Sequence, residues 1–78
     1  MTAEVELLRE AVTRLRADAK PGNPNPWSNP LFLSHVADML EREADELESV
    51  PYRVDTDWIE RNYRDPLATA RAYLGREA

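Results

Sequence analysis

The chain has 78 residues with 42% hydrophobic and 32% charged side chains, the balance of one small folded domain. Its formal net charge of −5 disfavours duplex DNA, which needs a basic face to release counterions, and the absence of cysteine excludes a disulfide framework, a thiolate zinc site and a cysteine nucleophile. A core this thin leaves room for a partner, including a second copy of the chain, to contribute stability.

The opening MTAEVELLREAV carries acids where a secretory signal needs positive charge ahead of an apolar run. Nor does any stretch approach the roughly 20 apolar residues that span a bilayer, so a cytoplasmic protein with no membrane segment is expected. Val5, Leu8, Val12, Leu15 and Ala19 recur at alternating spacings of 3 and 4, which predicts an amphipathic helix over about 3–19. Thr2 is its expected cap, Glu4 and Glu6 suit the positive end of its dipole, and Glu10 and Arg14 are placed to pair one turn apart.

Residues 20–29 form a proline-rich loop in which Trp27 is the expected anchor. Asn29-Pro30 then gives a cap followed by proline at the first helical position. The second helix, about 30–49, directs Leu33, Val36, Ala37, Leu40, Ala44 and Leu47 inward, so the two long helices should pair as a helical hairpin that ends before Pro51. Asp55 or Thr56 should cap a short helix over about 56–63 carrying Trp58, Ile59 and Tyr63. Asp65-Pro66 repeats the cap-and-proline pair and should open a last helix, about 66–74, with Leu67, Ala70 and Leu74 inward and Gly75 ending it. The expected fold is one all-α domain.

Four constellations bear on function. Asp38, Glu41, Asp45 and Glu48 line one stripe of the second helix beside its apolar face, and a solvated face accounts for them better than a partner site or a metal site. His35 has Asp38 three residues on, where it could hold the ring, but no accompanying nucleophile, so an enzyme or metal site there is the weakest of the readings. The C-terminal half holds Arg53, Arg61, Arg64, Arg71 and Arg76 with two short helices joined by a tight turn, which invites a helix-turn-helix comparison, yet acids balance the arginines and the usual inter-helix glycine is missing. Nucleic-acid binding through these arginines is therefore the alternative to the main reading. Trp27, Phe32, Met39 and Val50 are left over from the core pattern. Either the loop or the C-terminal helices fold over them, or they form an exposed interface.

Three phrases, LREAVTRLRADAKPGNPNPW at 8–27, HVADMLEREADELE at 35–48 and PLATARAYLG at 66–75, resemble a loose group of small helical proteins of actinobacteria and their bacteriophages. The turn here is longer than in that group by Asn23-Pro24-Asn25. The resemblance implies a phage or prophage origin and a bacterial cytoplasm, and it carries over no functional residue. The expected function is a small protein–protein interaction or modulator protein with no cofactor, no metal and no catalytic residue. Its partner is expected to be another protein, such as a host protein, or a second copy meeting it in a symmetric dimer through Phe32, Met39 and Val50.

Overall fold

The computed structural model of the chain describes residues 2–20, 29–50 and 52–76. Four helices follow one another: α1 (Ala3–Asp18), α2 (Pro30–Glu48), α3 (Thr56–Asn62) and α4 (Arg64–Leu74). The protein is all-α, with no strand among the described residues, and none of its helices is long and apolar enough to cross a membrane.

Local chemistry sets the helix ends. The Thr2 hydroxyl accepts from the Val5 N–H at 3.1 Å, the Asn29 carboxamide oxygen from Leu31 and Phe32, and the Asp55 carboxylate from Trp58 at 2.8 Å. Each satisfies backbone donors that a helix start leaves without partners. Pro30 occupies the first turn of α2, where no backbone donor is missed. At the other end the Ser49 hydroxyl donates to the Glu46 carbonyl at 2.8 Å. Gly75 closes α4 at φ 71°, the left-handed conformation that a residue without Cβ adopts freely.

The start of α4 departs from the sequence expectation. Asp65 is not its cap: α4 begins at Arg64, and the preceding Tyr63, at φ −122° and ψ 30°, makes no side-chain capping bond. Pro66 is the cause. It has no N–H to offer the Asn62 carbonyl, so α3 cannot run on unbroken into α4. Instead the chain bends at Tyr63 and resumes with the Leu67 N–H on the Tyr63 carbonyl at 3.0 Å.

α1 and α2 run antiparallel, and α3–α4 returns beside them in an up-down-up arrangement. The core is Val5, Leu8, Ala11, Val12 and Leu15 of α1, Leu33, Ala37, Leu40, Ala44 and Leu47 of α2, and Ile59, Tyr63, Leu67 and Ala70 of α3–α4. Ala11 joins this core although the two-helix pattern omitted it, because α1 packs against α4 as well as α2 and so buries a wider arc. Ala19, Val36, Trp58 and Leu74, expected inward, are only partly buried at its margins. Trp58 packs edge-on against Tyr52, with ring centroids 6.3 Å apart.

Candidate functional site

The core arc of α2 is flanked by two different surfaces. At 100° per residue its buried side chains cover about 80° of the helix wheel, with the Asp38–Glu48 acids on one side and a second stripe on the other. The acid row faces solvent, as expected, but cations from α1 also meet it. Arg16 of α1 meets Asp38 and Glu41, and Arg9 meets Asp45 at 3.0 Å and Glu48 at 3.3 Å. The two arginines stand seven residues apart, as do Asp38 and Asp45 and again Glu41 and Glu48. Two antiparallel helices in this register therefore repeat the same clamp two turns on. The carboxylate bonds hold both guanidinium pKa values above their usual range, against an opposing cost of desolvation. Because these pairs sit in solvent, their value is register more than stability.

The ladder also removes the arrangement imagined around His35. Asp38 accepts from Arg16 at 3.1 Å, and His35 lies exposed with no bond to it. Among the described residues, no three His, Asp or Glu side chains are grouped as metal ligands. The expected Glu10–Arg14 pair does not form: Glu10 takes two bonds from Arg76, and Arg14 reaches Asp18 at 3.8 Å. Arg71 engages Glu60 through both terminal nitrogens, which holds the Glu60 carboxyl below its usual range. With Arg64 on Asp65, three of the five C-terminal arginines are drawn into ion pairs among the described residues.

The opposite flank of α2 carries Phe32, Val36, Met39, Glu43 and Glu46, spaced 4, 3, 4 and 3. Such spacing keeps all five on one stripe, apolar in its first half and acidic in its second. Facing it on α4 are Pro66, Thr69, Ala72 and Tyr73. All of these except Glu46, one turn on from Glu43, line a groove. Its upper part, about 500 Å³, has Phe32 and Val36 on one wall, Thr69, Ala72 and Tyr73 on the other, and Leu15 and Leu33 in its floor. Its lower part, about 250 Å³, runs from Val36 past Met39 to Glu43, opposite Asp65 and Pro66. Val36 and Thr69 belong to both, so the groove is continuous.

Two tyrosines fix its walls. The Tyr73 hydroxyl donates to the Asp18 carboxylate and the Tyr63 hydroxyl to Glu46 at 3.1 Å, tying α4 to α1 and the α3–α4 bend to α2. Burial first, and the neighbouring carboxylate second, push both phenols up to about 12.

Phe32 and Met39 remain 64% and 50% exposed on the groove's rim, so α4 packs beside them without covering them. Leu31, next to Phe32, is 83% exposed. Val50 does not share this surface. It lies beyond the end of α2, half-buried, in a separate cleft of about 530 Å³ with Val5, Leu47 and Tyr52. Trp27 lies outside the described residues. Thr69, Ala72 and Tyr73 were not singled out from the sequence and Val36 was expected only in the core, although the 4-3-4-3 spacing from Phe32 to Glu46 was there to be read.

No family model matches the chain, and neither curated proteins nor solved structures give a match.

Proposed function

We propose that this chain is a small protein–protein interaction module, of phage or prophage origin and acting in a bacterial cytoplasm, that presents the α2–α4 groove to another protein. The observation carrying this reading is the exposure of Phe32 and Met39, 64% and 50%, on the rim of a groove floored by the core. Contiguous apolar surface flanked by polar residues is the usual mark of an interaction site on a small domain. Covering such surface returns about 25 cal/mol per Å², and aromatic and Met side chains are favoured anchors.

The test is affinity capture from a bacterial host lysate with the parent chain, Met39→Asp and the remote control Glu6→Lys as baits. Loss of a captured protein with Met39→Asp, and its retention with Glu6→Lys, supports the reading. Identical recovery with all three baits sinks it.

A further inference from the structure

The groove has a charge pattern along its length, and the ion pairs of the fold explain where it comes from. All four acids on the α1 side of α2 are met by Arg9 and Arg16. Among the described residues no arginine does the same on the other side: Glu43 forms no ion pair, Glu46 accepts from the Tyr63 hydroxyl but meets no cation, and Arg71 of α4 is turned away to Glu60. Arg42 lies further round α2 and pairs with neither Glu43 nor Glu46, while Asp65, which also lines this end, is paired with Arg64 in open solvent. One end of the groove is therefore apolar and the other acidic.

We infer that the groove receives one amphipathic helix from a partner protein, apolar where it lies over Phe32 and Met39 and basic where it lies over Glu43, Glu46 and Asp65. This rests on the interaction-module reading above and names the chemistry of the partner. A helix fits because both walls are helix stripes at spacings of 3 and 4, which accept the ridges of a third helix and complete a four-helix arrangement. Thr69 and Ala72 are small enough to let its backbone approach closely. From Phe32 to Met39 the apolar half spans about 10 Å, two helical turns at 1.5 Å per residue, and the acidic half adds two more. Lysine or arginine on those further turns would meet Glu43 and Glu46, which no cation among the described residues neutralises, and would compete with Arg64 for Asp65.

A second copy of the chain suits the same groove poorly. A two-fold axis through Met39 sets Glu46 of each copy over Phe32 of the other, and Glu43 over His35. That sets a carboxylate against an aromatic ring, which desolvates it at a cost.

The experiment uses the full chain and three synthetic helical peptides of roughly 18 residues, about four to five turns long. The first carries leucines on two successive turns and lysines on the next two, at spacings of 3 and 4. The second replaces the lysines with glutamates, and the third replaces the leucines with serines. Binding is followed by fluorescence anisotropy and by the methyl NMR signals of Met39, Thr69 and Ala72. The lysine peptide should bind saturably and shift those methyls, the glutamate peptide about tenfold more weakly, as for two exposed ion pairs lost, and the serine peptide not at all. Glu43→Lys should reverse the preference between the two charged peptides. Equal affinity for lysine and glutamate peptides overturns the inference while leaving the interaction reading in place. Binding that maps away from Met39 and Thr69, or no binding by any peptide, also overturns it. Sedimentation equilibrium supplies the last arm: a dimer that excludes the lysine peptide gives the groove to a second copy, and the inference falls.

Discussion

The hydroxyl of Tyr63, at the bend between α3 and α4, donates a 3.1 Å hydrogen bond to the Glu46 carboxylate of α2. Pro66 forces the bend, and this bond with the buried ring holds it against the bundle. Tyr63→Phe keeps the packing and deletes only the bond. It should cost about 1.5 kcal/mol, toward the upper end for a neutral pair because the acceptor is charged. Urea denaturation of the two proteins measures this directly, and a difference near zero would show that water replaces the bond freely.

The same contact makes stability depend on alkaline pH. Tyr63 and Tyr73 are both pushed from the usual phenol value up to about 12 in the fold, so the folded chain holds these two protons more tightly than the unfolded chain. The stabilisation they give is complete below pH 10, where both states are protonated, and is lost as pH rises from about 10 toward 12. Absorbance titration near 295 nm should show two tyrosines ionising late in the folded protein, and denaturation midpoints should fall through that window. A normal titration of all the tyrosines would contradict it.

The arginine ladder should matter more for register than for stability. Arg16→Ala is expected to cost about 1 kcal/mol or less, as for exposed pairs. Arg9→Glu with Arg16→Glu sets six carboxylates along one seam and should lower the melting temperature at low salt, with most of the loss recovered in molar salt. Thermal melts at low and high ionic strength distinguish this from a packing defect, which salt would not repair.

Core and groove should respond to truncation with very different magnitudes. Leu8 is fully buried, and Leu8→Ala should cost about 2–5 kcal/mol through lost burial and a residual cavity. Phe32→Ala and Met39→Ala remove exposed side chains and should change stability by about 0.5 kcal/mol or less. Chemical denaturation of the three variants settles the contrast. A large loss from Phe32→Ala would mean that the ring supports the fold and is not held free for a partner.

Gly75→Ala probes the end of α4. Nothing lies within 4 Å of the added Cβ, so the cost arises from the left-handed backbone at φ 71° and should be about 1 kcal/mol. A neutral result would indicate that the last turn of α4 frays and contributes little.

Much of the fold was legible in the residues because its determinants are local. Thr2, Asn29 and Asp55 cap their helices through bonds spanning two or three residues, and the 3–4 spacing of Val5, Leu8, Val12 and Leu15 specifies a buried face whatever covers it. Pro66 is visible too, but it sits at the third position of α4 and not the first: the bend it forces falls at Tyr63, two residues earlier than the cap-and-proline pair suggests.

Partnership across the bundle was not legible. Asp38, Glu41, Asp45 and Glu48 look like a solvated row in one dimension, since nothing in their own helix says that Arg9 and Arg16 arrive from another in matching register. Phe32, Met39 and Val50 likewise share a direction on the helix wheel, but the helix ends at Glu48, and Val50 leaves that direction for another cleft. The sequence by itself determined the helices, their buried faces and the location of the acid excess, all of which follow from spacings within a turn or two. Only the tertiary structure decided which acids find cations and which apolar side chains stay open. Both depend on which helix packs on which flank of α2, and that choice is made by contacts between residues far apart in the chain.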